Sequence, residues 1–74
     1  MDIREVFATN LKRYRHHAGL SQEELAHRAG VDRTYISSLE RRQYAAGIDV
    51  VDRLARALGL KAADLLRTHP DAAD

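Results

Sequence analysis

A group of polar side chains between residues 33 and 41 has the types and spacing needed to bind the edge of a planar group. Arg33, Thr34, Ser37, Ser38 and Arg41 fall on one side of a helical projection at about 100° per residue. The Arg33 guanidinium can donate two parallel hydrogen bonds to an acceptor pair such as O6 and N7 of guanine. Thr34 can bond to a base or place its methyl group on thymine, and the short serines can act through water. The alternatives are an ordinary solvated helix face, and for Arg33 a phosphate contact or a local ion pair.

Other kinds of site chemistry find little support in the sequence. The chain has no cysteine, which excludes disulfides and cysteine-ligated zinc. His16 and His17 are adjacent, so on a helix their side chains point about 100° apart and do not easily chelate one metal ion. No motif pairs a nucleophile with a base, and no phosphate-binding loop is present. We therefore expect no enzymatic activity, no cofactor, no metal and no small-molecule ligand.

Helical periodicity and four glycines divide the chain into short helices that would position these side chains. We expect five helices at about residues 2–18, 22–29, 33–41, 48–58 and 62–67. No alternating apolar run indicates a strand, so the sequence predicts a compact all-α fold. We expect a single domain over residues 1–74, with an ordered core at about 2–68 and a mobile tail at 69–74. In the fourth helix we expect an inward face formed by Ile48, Val51, Leu54, Ala55 and Leu58.

The second and third predicted helices are separated by a very short corner. Ala26 is small where two helices would cross closely, and Gly30 can adopt a positive φ at little cost. Val31, Ile36 and Leu39 would hold the following helix against the core. This order of small, glycine and apolar positions is typical of a helix-turn-helix. Any two adjacent core helices are the alternative interpretation.

Two segments carry a family resemblance. LSQEELAHRAGVDRTYISSLE, with ALGLKAADLL downstream, resembles the Cro and phage-repressor (XRE-like) helix-turn-helix family over roughly residues 7–66. VDRTYISSLE resembles in particular the controller proteins of restriction–modification systems. The resemblance implies a five-helix, lambda-repressor-like DNA-binding domain whose third helix enters the major groove N-terminus first, a docking mode described for the phage repressors. In that pose Arg33 and Thr34 would lie deepest, with Ser37 and Ser38 also reading bases.

The resemblance also implies residues that hold the DNA backbone and the scaffold. The phosphate contacts would come from the start of the second helix and from the region after the third: Gln22, Tyr35, Arg41, Arg42, Gln43 and Tyr44. For Tyr35, packing against the core or its rim is the stronger alternative. Arg15 and Glu40 would form a structural ion pair between the first and third helices. The chain departs from the family at Arg42, where a glycine is usual, so the resemblance does not specify the geometry of the 41–47 loop.

The resemblance and the charge pattern together suggest the partners. Residues 12–42 carry seven Lys and Arg against four Asp and Glu, so double-stranded DNA would meet this part of the chain. A single short helix reads few base pairs, and we expect a homodimer on a palindromic operator, with Leu60, Leu65 and Leu66 at the interface. Leu65 and Leu66 could instead complete the monomer core.

The sequence-based interpretation is a cytoplasmic transcription regulator. No apolar run is long enough to cross a membrane. An antitoxin-like protein-interaction module of the same fold is the main alternative, and a purely structural helical bundle is another.

Overall fold

The computed structural model describes residues 2–68, and the predicted mobile tail at 69–74 lies outside this range. The described chain forms five α-helices and no strand, which confirms the all-α prediction. They are α1 (Ile3–His17), α2 (Gln22–Ala29), α3 (Arg33–Glu40), α4 (Ile48–Ala57) and α5 (Ala62–Leu66). The observed bounds of each helix lie within one residue of those expected from the sequence.

Aliphatic side chains from all five helices form one core. The side chains that are almost completely enclosed are Leu11, Leu25, Ile36, Leu39, Leu54 and Leu65. Each such side chain contributes about 1.5–3 kcal/mol by leaving water. Phe7 of α1 and Ala55 of α4 belong to the same cluster. The helices of the predicted corner, α2 and α3, pack against each other directly.

The structure corrects three expectations about which apolar side chains face inward. Ile48 was expected in the core, but it is 87% exposed because it begins α4 beyond the edge of the core. Leu65 was expected at a dimer interface, but it is fully enclosed by the monomer core. Leu58 is only partly buried, at the C-terminal end of α4. Leu66, the neighbour of Leu65, is 42% exposed.

Side-chain caps begin the two helices of the corner. Ser21 accepts a hydrogen bond from the Glu24 amide (3.0 Å), and the Glu24 carboxylate accepts one from the Ser21 amide (2.8 Å). Asp32 accepts a hydrogen bond from the Thr34 amide at 2.7 Å. These amide hydrogen bonds, from Ser21 and Thr34 respectively, lower the pKa of the Glu24 and Asp32 carboxyls. Both caps therefore favour the ionised carboxylates.

Four helices, α1 to α4, end in the same pattern of backbone hydrogen bonds, in which a left-handed residue closes the last turn. Glycine occupies the left-handed position after α1, α2 and α4; at Gly30 φ is 71°. After α3 the position is held by Arg42, with φ 62°. The Arg42 amide bonds to the Leu39 carbonyl (3.1 Å), and the Gln43 amide to the Ser38 carbonyl (3.0 Å). Arg42 thus ends α3 as a glycine would, in a conformation that costs a residue with a Cβ about 1–2 kcal/mol.

One buried polar side chain ties the first helix to the last. Asn10 is 3% exposed, and its Nδ2 donates to the carbonyls of Leu65 and Arg67, both at 2.9 Å. Because these carbonyls lie at the C-terminal end of α5, the amide satisfies groups that have no partner within that short helix. The sequence analysis missed this contact, since an asparagine in a helix interior is normally a solvent-exposed residue.

Candidate nucleic-acid interface

The N-terminal end of α3 presents two exposed polar side chains. Arg33 and Thr34 are both exposed, directly after the Asp32 cap that fixes the start of the helix. Within residues 2–68 the Arg33 side chain makes no ion pair or hydrogen bond. Asp32 bonds to the Thr34 amide and Glu40 bonds elsewhere, so the local ion pair considered for Arg33 does not form. The guanidinium is therefore available to an outside acceptor.

The same face of α3 continues as a hydrogen-bonded chain towards its C-terminal end. Arg41 Nη1 donates to Ser37 Oγ at 2.6 Å, and Arg41 Nη2 donates to Gln43 Oε1 at 3.2 Å. Arg33, Ser37 and Arg41 are spaced by four residues and lie on one side of the helix. Ser37, which was predicted to read a base, is thereby joined to Arg41 and Gln43, which were predicted to bind phosphate.

Ser38 does not belong to this exposed face. It is only 6% exposed, and this burial contradicts the prediction that it reads a base. The side chain of serine is small enough to be enclosed within the packing of the helices. Tyr35 is partly buried and packs against the core cluster, in agreement with the alternative considered for its ring.

The predicted pair of Arg15 and Glu40 is present in the structure and is buried. Arg15 Nε lies 2.7 Å from Glu40 Oε2, and Arg15 Nη2 lies 3.0 Å from Glu40 Oε1. The two side chains are only 9% and 4% exposed. A third bond runs from Arg15 Nη1 to the Leu20 carbonyl at 2.9 Å. The family resemblance implied the pair without its burial, and this burial makes the loss of one partner costly.

Gln22 joins the same group of side chains. Its Nε2 donates to Glu40 Oε1 at 3.1 Å, so one carboxylate holds the end of α1 and the first turn of α2. The side chain expected to contact a phosphate therefore already has an internal partner.

The loop after α3 separates the remaining expected phosphate ligands. The Arg42 Nη1 lies 3.3 Å from Glu5 Oε2 of α1, in a pair whose side chains are 56% and 40% exposed. Tyr44 is 59% exposed and lines an apolar depression together with Ile3 and Leu66. Arg42 thus lies near α1, whereas the ring of Tyr44 lies with apolar side chains of α1 and α5.

Four large apolar side chains are exposed around the depression that Tyr44 lines and the one next to it. They are Ile3, Tyr44, Ile48 and Leu66, which we call the apolar surface. They line two adjoining depressions that share Leu66 together with Ala46 and Val51. The partly buried Leu60 packs against the core rather than lining either depression.

Comparison with known protein families identifies the fold and the turn between α2 and α3. A helix-turn-helix family model matches residues 11–65, which include α2, α3 and the turn between them. This chain belongs to the helix-turn-helix family. Because the match spans most of the chain, it covers the exposed face of α3 and the buried ion pair together.

Relatives of this helix-turn-helix chain include regulators and controller proteins. Control protein C.SmaI of Serratia marcescens is 42% identical over 66 residues, covering 89% of this chain and 79% of that protein. A hypothetical transcription factor of Neisseria meningitidis is 43% identical over 65 residues. That match covers 88% of this chain but only 61% of the Neisseria protein. The crystal structure of controller protein C.AhdI from Aeromonas hydrophila is 35% identical with a TM-score of 0.81, covering 84% of this chain and 94% of that one.

Residues 2–68 contain no cluster of three histidine, aspartate or glutamate side chains arranged to hold a metal ion. None of the helices in that range is long and apolar enough to cross a membrane.

Proposed function

We propose that this helix-turn-helix protein is a sequence-specific transcription regulator that inserts α3 into the major groove of DNA. The observation that carries the proposal is the exposure of Arg33 and Thr34 at the N-terminal end of α3, while Ile36 and Leu39 anchor the opposite side. A guanidinium without an internal partner, held on a rigid helix, can form the bidentate bond that distinguishes guanine from other bases. The similarity to controller proteins and to a transcription factor supports the same conclusion.

In this proposal, bases are read from the first two turns of α3. Arg33 binds guanine, Thr34 contacts a base edge or a thymine methyl group, and Ser37 acts from the second turn. Ser38 is omitted because it is buried.

Phosphates are contacted around this helix, which fixes its register without adding sequence information. The ligands proposed are the first turn of α2 at Gln22, the hydroxyl of Tyr35, and the loop residues Arg41, Arg42, Gln43 and Tyr44. For Gln22 and Arg42 the contact competes with internal partners, Glu40 and Glu5 respectively.

We propose further that two copies bind a palindromic operator as a homodimer, with half-sites about 34 Å apart. The apolar surface supports this, since it leaves Ile48 87% exposed and Tyr44 59% exposed on one side of a small domain. Leu66 remains in the proposed interface from the sequence prediction, and Leu65 is removed because it is buried. Leu60 is placed at the edge of the interface, because it is partly buried against the core and lines neither depression.

Sedimentation equilibrium tests the dimer directly. We expect the wild-type protein to self-associate and Ile48→Asp to be monomeric with unchanged helicity, because the side chain makes almost no core contact. Arg53→Asp is the control, as this exposed residue of α4 does not line the apolar surface. A wild-type protein that remains monomeric at high concentration contradicts the proposed interface.

Selection of binding sites from a random DNA pool tests the whole proposal. We expect a palindrome whose half-sites contain a guanine, and we expect Arg33→Ala to lose the preference for that guanine. The chain would act as a DNA-binding regulator in the cytoplasm. No enrichment by a folded protein would refute the proposal and favour an antitoxin-like module, for which the apolar surface would be the partner site.

A further inference from the structure

A second polar surface lies between α1 and the end of α3. It is a cleft of about 480 Å³ lined by Lys12, Arg13, His16 and His17 of α1, with Glu40 and Arg42. We call it the basic cleft. The residues proposed above to read bases lie outside its lining, and so does the apolar surface.

The charge of the basic cleft is positive despite the presence of a carboxylate. The Glu40 side chain is 4% exposed, and both of its oxygens accept hydrogen bonds from Arg15, with Gln22 as an additional donor. Its negative charge is therefore already compensated at the floor of the cleft. Among the basic side chains of the walls, Arg42 is paired with Glu5 and His16 lies 3.2 Å from Arg15 Nη2, whereas the Lys12 ammonium group has no ion-pair partner within residues 2–68.

The helix dipole does not explain these side chains. Basic residues in the last turn of a helix are favoured by the negative end of the macrodipole, and His16 and His17 are in that position. Lys12 lies five residues before the last residue of α1, where the effect has fallen away. It shares the cleft side of α1 with His16, four residues later, so the lining extends from the last turn of α1 back towards the middle of the helix.

The basic cleft lies next to a proposed DNA contact. Glu40 at its floor is 3.1 Å from the Gln22 side chain, which marks the first turn of α2. A DNA strand held at that turn would therefore pass near the cleft as it leaves the groove occupied by α3. The distance along α3 from Arg33 to Glu40 is about 10 Å at 1.5 Å per residue, which separates the cleft from the deepest base contact.

We propose that the basic cleft binds a backbone phosphate of the DNA that flanks each half-site, beyond the base pairs reached by α3. The proposal rests on the DNA-binding function proposed above. It makes Lys12 a phosphate ligand and assigns α1 a direct part in binding. The contact adds affinity without sequence preference, because every flanking sequence presents the same phosphate.

The test compares two duplexes that share the selected operator. One ends at the outer edges of the half-sites, and the other extends by about 10 bp, or one helical turn, on each side. Lys12→Gln removes the free ammonium group from the cleft, and Lys61→Gln is the matched control at an exposed lysine that precedes α5. Dissociation constants are measured by fluorescence anisotropy over a range of salt concentrations.

Each phosphate contact contributes about 0.9 to the slope of the logarithm of the binding constant against the logarithm of the salt concentration. At 0.1 M salt one contact therefore contributes about 0.9 log units, and we expect Lys12→Gln to weaken binding of the long duplex about eightfold per contact. Binding of the short duplex should be unchanged, and Lys61→Gln should match the wild type on both. Equal melting temperatures of the two variants exclude an effect on folding.

The outcomes separate this proposal from the function on which it rests. If the wild type selects no operator, the proposed function itself fails. If the operator is bound selectively but Lys12→Gln behaves as Lys61→Gln on both duplexes, only the basic cleft is overturned. If inorganic phosphate shifts the amide resonances of Lys12 and His16 while flank length has no effect, the site takes a free anion and the assignment to DNA is wrong.

Discussion

Replacing Glu40 by alanine should remove a large part of the stability of this domain. The carboxylate is 4% exposed and accepts three hydrogen bonds, two from Arg15 at 2.7 and 3.0 Å and one from Gln22 at 3.1 Å. Removing one partner of a buried ion pair typically costs 3–5 kcal/mol, because the other charge is left without compensation. Arg15 keeps its bond to the Leu20 carbonyl at 2.9 Å, so we expect the lower end, about 3 kcal/mol.

That loss is large for a chain of this size. At about 0.05–0.15 kcal/mol per residue, a domain of 74 residues has a free energy of unfolding of about 4–11 kcal/mol. Urea unfolding followed by circular dichroism measures the change. With an m-value of about 1 kcal/mol/M, the midpoint should fall by about 3 M.

Two comparisons show whether burial is the cause. Glu5→Ala breaks the exposed pair with Arg42, whose side chains are 40% and 56% exposed, and should change stability by less than about 1 kcal/mol. Replacing both Arg15 and Glu40 by apolar residues of similar volume should cost less than Glu40→Ala alone. A Glu40→Ala loss no larger than that of Glu5→Ala would refute the reasoning.

Three further predictions concern single side chains. Arg33→Ala should cost about 1–3 kcal/mol of binding free energy on the selected operator and much less on random DNA; an equal loss on both would make Arg33 a phosphate ligand. Arg42→Gly should raise the free energy of unfolding by up to about 1 kcal/mol, since it relieves a φ of 62° and loses only the exposed pair with Glu5; a lower urea midpoint would contradict this. The lowered pKa values of Asp32 and Glu24 mean that their caps stabilise the fold above the unfolded pKa values, and that this stability is lost as the pH falls below about 4. Asp32→Asn, which keeps a capping oxygen, should show a smaller loss in acid unfolding curves, and an unchanged acid limb would exclude the Asp32 contribution.

The sequence predicts the helices and the corner well because local signals are strong there. Ser21 with Glu24, Asp32, and Gly30 each specify a start or an end of a helix through hydrogen bonds within a few residues. The buried pair of Arg15 and Glu40 joins residues 25 positions apart, and only the family resemblance suggested it. Its burial and the additional bond from Gln22 depend on how α1, α2 and α3 meet, which no local pattern specifies.

The predictions that failed concern which side chains of a helix face the core and where along the helix the core ends. Leu65 and Leu66 are adjacent leucines about 100° apart, and composition does not show which one faces the core. Ser38 lies on the predicted polar face, but a serine is small enough to be enclosed where two helices approach. Ile48 has the correct helical phase for burial, yet it lies one turn beyond the core. In each case the neighbouring helix decides the outcome.

The position of the apolar surface affects how this domain can be joined to other chains. Ile3 and Leu66 line the same depression, although they lie near opposite ends of the described sequence. Any segment that precedes α1 or follows α5 in a longer protein therefore starts beside that surface and can cover it. A purification tag at either end has the same proximity, so self-association measured on a tagged protein reports the tag as well as the domain. In a longer relative, the added segment is itself well placed to control whether two such domains pair.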